Sequence, residues 1–184
     1  MKKLMILLMV AVCGICTSCD NDDWGNNNPA MEHIYYYGLG NVKYPGGNEL
    51  QYNVNQGETV AVPTYFFSAF TRGYSPVVSY YTSAVPKAEE LKLGIDYQVL
   101  DATGATLTAD ANGGYAMTWP NARQGEQPIY IKALNGKKGK IRVLTFDPKK
   151  TIDATDVSST SIVKTDEYEV RAFSENYYVT VNIK

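Results

Sequence analysis

Beyond Met31 the hydrophobic positions recur mostly at every second residue, the period of a strand with one face against a core. The alternation is clearest at the C-terminal end. There Tyr177, Val179, Val181 and Ile183 alternate with Tyr178, Thr180, Asn182 and Lys184, so the first set is expected to face inward. Ile129, Ile131 and Ala133 alternate with Tyr130 and Lys132 in the same way, and Ile141-Arg142-Val143-Leu144-Thr145-Phe146 follows across Asn135-Gly136. Asn-Gly between two such runs is a strong tight-turn signal. The pair is therefore expected to form a hairpin, with Lys137-Lys138-Gly139-Lys140 as its solvated tip. Aromatic and β-branched runs at 60–70, 77–82, 96–100 and 168–173 predict further strands, broken by Gly57, Gly73, Pro76, Pro86, Gly94 and Gly104. Pro63 inside the first of them points to an edge strand or a strand start, because proline cannot donate to a ladder. The stretch 87–92 alone has helical propensity, enough for a connector of one or two turns.

Short strands with frequent turn signals and no alternating helices predict an all-β fold, an antiparallel sandwich of immunoglobulin-like build in a single domain over 32–184. No repeat at a solenoid period is visible.

The start of the chain has a different pattern. Lys2 and Lys3 precede an apolar run over 4–16, the length of a secretory leader's core and well short of the roughly 20 residues that span a bilayer. Ser18-Cys19 closes this run and resembles the lipobox of bacterial lipoproteins, in which a small residue precedes the cysteine that is acylated and becomes the mature N-terminus. The resemblance implies a signal peptide over 1–18, palmitate-type acylation of Cys19, and a spacer over 19–31 holding the domain to a membrane. Each acyl chain contributes about 0.8 kcal/mol per buried methylene and stable anchoring needs more than one chain, so the three chains of this family make a durable tether. The acidic run Asp20-Asn21-Asp22-Asp23 resembles the export signal of Bacteroides-type lipoproteins, which implies the outer membrane and its outer face. Trp24, in an otherwise Asp-, Asn-, Gly- and Pro-rich spacer, is expected to meet lipid headgroups or nothing.

Composition narrows the chemistry. The chain of 184 residues carries a formal charge of −2, and loss of Lys2 and Lys3 with the leader takes it to −4. No concentrated basic face exists for nucleic acid. Of the three cysteines, Cys13 and Cys16 leave with the leader and Cys19 is acylated, so the mature domain is expected to have no thiol and no disulfide. Its stability must come from a packed core, which a domain of about 150 residues can supply.

Gly94-Ile95-Asp96-Tyr97, then Trp119-Pro120-Asn121-Ala122-Arg123-Gln124-Gly125-Glu126 leading into Pro128-Ile129-Tyr130-Ile131, and the closing Val179-Thr180-Val181-Asn182-Ile183 resemble the Calx-beta family and related sandwich domains of surface lipoproteins. The likeness runs from about Val77 to Lys184. It implies a Calx-beta-like sandwich and raises the question of calcium, which takes six to eight hard oxygens. Asp147, Asp153 and Asp156 share one long loop region and are the candidate calcium ligands; the dense acidic triplets of calcium-binding members are missing.

Catalysis has little to rest on. His33 is the only histidine, so a triad or a two-histidine metal site would depend on one residue at the start of the first strand. A glycosidase needs only two carboxylates facing each other across a cleft, and no local signature marks such a pair. Tyrosine is the remaining signal: fifteen residues, with Tyr35-Tyr36-Tyr37, Tyr80-Tyr81 and Tyr177-Tyr178. Adjacent strand residues face opposite ways, so each doublet exposes a ring if its neighbour is buried. Exposed rings suit sugar or protein ligands. Tyr36, Tyr81, Trp119 and Tyr130 are the candidate ligand contacts. The sequence thus points to a non-catalytic, lipid-anchored binding or adhesion module for a glycan or an envelope protein. A structural accessory acting through a sheet edge or surface patch is the alternative.

Overall fold

The computed structural model describes residues 32–40, 47–153 and 155–184. His33–Lys184 form one compact unit; Cys19, the acidic run and Trp24 lie outside the described residues. Eleven strands follow in order: β1 (Ile34–Leu39), β2 (Gln51–Val54), β3 (Thr59–Phe67), β4 (Val77–Ala84), β5 (Tyr97–Leu100), β6 (Gly114–Thr118), β7 (Gly125–Ala133), β8 (Gly139–Leu144), β9 (Ser161–Lys164), β10 (Glu169–Ala172) and β11 (Tyr178–Ile183). Among the described residues the only helical pieces are short 3₁₀ turns. The all-β expectation holds at this level.

Six strands form one sheet in the order β5-β7-β3-β1-β10-β9, and five form a second in the order β2-β11-β8-β4-β6. The pairing is mixed rather than wholly antiparallel: β1 runs parallel to β10 and β2 runs parallel to β11. The chain changes sheet at every connection except β9 to β10. This explains why the expected hairpin across Asn135-Gly136 does not form. Both edges of β7 are already taken, by β3 and β5, so β8 crosses to the second sheet and pairs with β11 and β4.

The turn at Gly136 has a different task. Asp96 is buried, and its carboxylate accepts the backbone N–H of Lys92 at 2.7 Å and of Lys137 at 2.7 Å. Those two N–H groups hold the Asp96 carboxyl below the usual carboxylate range. The Leu134 N–H is donated to the Asp96 carbonyl at 2.9 Å. Asp96 thereby ties the opening of β5 to the crossover between the sheets. Gly94, at φ +80°, makes the turn into it by donating its N–H to the Tyr97 carbonyl at 2.8 Å. The expected connector helix at 87–92 is also absent. Pro86 and Lys87 make a turn, with Lys87 at φ +64° and the Ala88 N–H donated to the Val85 carbonyl at 3.1 Å, and a left-handed residue cannot continue an α-helix.

Pro63 is a further correction. It lies inside β3, an interior strand, directly opposite Pro128 of β7. Its carbonyl accepts the Gly40 N–H at 2.7 Å, so the backbone of Pro63 faces β1 just where β1 ends at Leu39. The missing N–H costs no ladder bond there.

The core lies between the layers. Val179, Val181 and Ile183 face inward as expected, as do Ile129, Ile131 and Ala133. Tyr177 is only half buried and packs its ring on Phe146 at 4.8 Å. Tyr37 of β1 crosses the gap: its hydroxyl donates to the Met117 sulfur of β6 at 3.8 Å, and its ring meets Trp119 edge-on at 6.2 Å. On the far side the Tyr97 hydroxyl of β5 donates to Thr82 Oγ1 of β4 at 3.0 Å. Burial raises the phenols of Tyr37 and Tyr80 above the ordinary value. A raised acid in the folded state contributes stability that is complete below the unfolded value, about 10 for tyrosine, and is lost as pH rises past it. Urea midpoints measured from neutral to strongly alkaline pH are expected to fall from about pH 10 upward. Tyr37→Phe should shift that fall to higher pH.

Candidate functional site

β4 alternates Val78 and Tyr80, buried, with Ser79 and Tyr81, half-buried on the outward side. Tyr81 faces Gly114 of edge strand β6, and its ring lies so close that a Cβ on Gly114 would sit 3.1 Å from Tyr81 Cε1. The turn before β6 is built by Asp110, whose Oδ1 accepts the N–H of Asn112 and of Gly114, each at 2.8 Å. That turn presents the Asn112 amide beside Tyr81.

The second wall comes from the end of β8. The Thr145 N–H is donated to the Tyr177 carbonyl at 2.9 Å, which extends the β8–β11 pairing and brings Phe146 against the Tyr177 ring. Asp147 Oδ1 then accepts the Lys149 N–H at 2.9 Å, and its carbonyl accepts the Lys150 N–H at 2.9 Å, a tight turn that carries Lys150 to the same mouth. Ile162 and Val163 of β9 close the apolar side. Together these segments enclose a cavity of about 280 Å³, near the lower limit for small-ligand sites.

The chemistry of the lining is mixed. Tyr81 and Phe146 offer rings, Lys150 and Asn112 offer donors, and Asp147, Ser79 and Thr145 offer acceptors. Burial raises the Tyr81 phenol; the Ser79 hydrogen bond pulls it down, and the Asp147 and Asp110 carboxylates raise it again. It therefore stays a neutral hydroxyl able to donate and accept. Such a set matches a ligand with many hydroxyls and apolar C–H faces.

Of the four ring residues expected to share a ligand, the structure brings only Tyr81 to the cavity. Trp119 is a core residue, 2% exposed, stacked on Phe66 at 5.0 Å. It follows β6 inward because its N–H is donated to the Pro76 carbonyl at 2.8 Å. Tyr36 and Tyr130 lie on the outward face of the first sheet but do not meet. Tyr36 is in register with Phe67 of β3 and Tyr130 with Ala61, so about 20 Å of strand separates them. Tyr36 packs instead on Phe173 at 5.3 Å.

The candidate calcium ligands are not brought together either. Asp153 Oδ1 accepts the Thr155 N–H and hydroxyl at 2.9 and 2.7 Å, and Asp156 Oδ1 accepts those of Ser158 at the same distances. Each carboxylate closes its own turn, and Asp147 serves the cavity. Among the described residues no group of three or more His, Cys, Asp or Glu is placed to hold a metal. His33 shares its Nδ1 with the Tyr74 hydroxyl at 2.8 Å, and that hydroxyl meets Tyr35 Oη at 2.6 Å. His33 therefore belongs to an aromatic cluster away from the cavity lining.

Residues absent from the sequence expectation are Ser79, Asn112, Thr145, Phe146, Lys150, Ile162 and Val163. They come from four separated segments, and no short-range pattern links them.

No protein-family model matches the chain, and no curated protein matches it. Among solved structures, the chain is similar to one described as "AvmM Catalyzes Macrocyclization in Alchivemycin A Biosynthesis". The identity is 10%, over 82% of this chain and 90% of that one, with a TM-score of 0.31. A likeness that low carries no argument about activity.

Proposed function

We propose that this chain is a non-catalytic binding module, anchored to the outer membrane by lipid on Cys19, displayed at the cell surface, and binding a glycan in the cavity at Tyr81. The cavity carries the reading: rings, amide, ammonium and carboxylate converge there on a space sized for one small polar unit. The tether rests on the lipobox resemblance at Ser18-Cys19 and the acidic run after it. Mass spectrometry of the membrane-extracted protein should find acyl chains on Cys19; an unmodified protein released into the medium would remove the anchor and the surface placement together.

Within the all-β architecture we assign the immunoglobulin-like, Calx-beta-like class. The support is the Gly94-Ile95-Asp96-Tyr97 opening of β5, where Asp96 holds the corner between the layers. Calcium has weaker support, since Asp153 and Asp156 each close a local turn and, among the described residues, do not converge with Asp147 on one point.

A role as structural accessory through a sheet edge is less well supported. On edge strand β6, Gly114 exchanges hydrogen bonds with Asp110, and the Thr118 carbonyl accepts the Gln127 side-chain amide at 2.8 Å. The edge of β5 is covered by its own loop, through Leu107 N–H to the Val99 carbonyl at 2.9 Å. Covered edges resist strand addition, which leaves β2 and β9 as the edges through which this second reading would act.

The test is a binding panel of glycans and envelope extracts on the acylated protein in detergent, with and without chelator. Glycan binding indifferent to chelator, and weakened at least about tenfold by Tyr81→Ala, is expected. Binding of no glycan, or binding that Tyr81→Ala leaves intact, would overturn the reading. Loss of binding with chelator would restore calcium.

A further inference from the structure

We infer that the loop end of the sandwich built from residues 85–96 and 134–140 docks on an anionic lipid surface, with Leu93 and Ile95 entering the layer and lysines meeting its phosphates. The inference goes beyond the glycan reading and does not rest on it. This tip lies past the Ala84 end of β4, whereas the cavity lies at Ser79 and Tyr81.

Two aliphatic side chains stand in water here without a packing role. Leu93 is 48% exposed and Ile95 62%, while Leu91 is buried and lies against Gly139. Leu91 closes the core at this end, so Leu93 and Ile95 are left over for another surface. Removing such a pair from water is favourable. Their turn is braced: the Asp96 carboxylate accepts the Lys92 and Lys137 N–H groups, and Gly136 has no room for a Cβ against the Ile95 carbonyl. The pair is therefore presented in a fixed position.

Backbone donors decide whether a turn can enter lipid, because an N–H carried into an apolar layer without a partner is costly. The Gly94 N–H is donated to the Tyr97 carbonyl at 2.8 Å, and the Ile95 and Asp96 N–H groups to the Lys92 carbonyl at 3.2 and 2.8 Å. The Lys92 N–H goes to Asp96 Oδ2 at 2.7 Å. The turn can thus sink to the headgroup boundary with these bonds intact.

Charge selects the occupant. The two segments carry Lys87, Lys92, Lys137, Lys138 and Lys140 against Glu89, Glu90 and Asp96, an excess of cations in a chain whose formal charge is −2. Asp96 is buried beneath the turn and Glu89 is paired with Lys137, which leaves Lys92, Lys138 and Lys140 as exposed cations of the tip. Lysines beside exposed aliphatic residues match phosphate headgroups above acyl chains. An acidic protein or polysaccharide would pair with the lysines but offers no layer for Leu93 and Ile95 to enter.

The test holds the acylated protein in lipid bicelles containing a mid-chain nitroxide lipid and reads amide signals, in phosphatidylcholine alone and with phosphatidylglycerol added. The nitroxide should broaden Leu93, Gly94 and Ile95 in the anionic bicelles, well beyond Val157, an exposed apolar residue outside the tip. Broadening should be lost in phosphatidylcholine alone, weakened by salt, and lost in Lys92→Glu/Lys138→Glu, whose other signals stay in place. In Leu93→Ser/Ile95→Ser the Gly94 signal should escape it. Broadening no greater at Leu93 and Ile95 than at Val157, or equal in neutral and anionic bicelles, would overturn the inference. So would heparin shifting the Lys92 and Lys138 signals while no bicelle broadens Leu93 or Ile95, which would give the tip to an acidic polymer. Every one of these results leaves sugar binding at Tyr81 to be judged separately.

Discussion

Trp119→Ala is expected to destabilise the domain by about 3–5 kcal/mol, the range for removing a large aromatic from a packed core. Trp119 is 2% exposed and stacks on Phe66 of the first sheet at an interplanar angle of 17°, while its edge meets Tyr37. One indole therefore joins both layers where the chain leaves the second sheet for β7. Collapse around the hole would have to move Phe66 and Tyr37, whose strands pair with neighbours on both sides. Urea unfolding should show the loss as a lower midpoint with an unchanged slope. Trp119→Phe should cost far less, below about 1.5 kcal/mol, because the stack survives and the indole N–H, which has no partner, is lost. An alanine variant as stable as the parent would mean that Trp119 is not part of the core.

Gly136→Ala is expected to cost about 3 kcal/mol, at the upper end for overpacking. A Cβ there would meet Asp96 Oδ1 at 2.3 Å, the Ile95 carbonyl oxygen at 2.7 Å and Asp96 Cα at 3.0 Å. Two of the three are backbone atoms, and the third belongs to the carboxylate that accepts the Lys92 and Lys137 N–H groups. Relief would break the corner. Gly73→Ala is the control: nothing lies within 4 Å of a Cβ there. Equal thermal midpoints for the two variants would contradict the placement of Asp96 against the turn. The exposed Lys137–Glu89 pair at the same corner adds little.

Much of the strand content was legible because burial leaves a period in the sequence. Val179, Val181 and Ile183, and Ile129, Ile131 and Ala133, face inward as their alternation demands. Sheet membership was not legible. Asn135-Gly136 is a genuine turn, but nothing local reveals that both neighbours of β7 come from elsewhere in the chain. The strands alternate between sheets, so which strands pair is decided by contacts distant in sequence. Pro63 misled for a related reason: its tolerance depends on where β1 happens to end. Trp119 misled because a tryptophan after a strand and before Pro120-Asn121 has the same local signature whether it points inward or outward.

The site was legible in one residue. Doublet logic found Tyr81, since Tyr80 is buried and stacked on Tyr115 at 5.3 Å, which turns Tyr81 outward. The same logic placed Tyr36 outward, between buried Tyr35 and Tyr37, yet no partner ring of the expected set comes near it. Asn112, Phe146 and Lys150 had no signal beyond the turns that carry them. A cavity is a property of packing, and its members share no spacing.

The most direct measurement is amide chemical-shift mapping of the protein titrated with the best-binding sugar of the panel. The account predicts perturbations centred on Ser79, Tyr81, Asn112 and Thr145 to Asp147, with those signals unmoved in Tyr81→Ala at the same ligand concentration. Perturbations centred on Tyr36 and Phe173 of the opposite sheet, or none at saturating sugar, would contradict it.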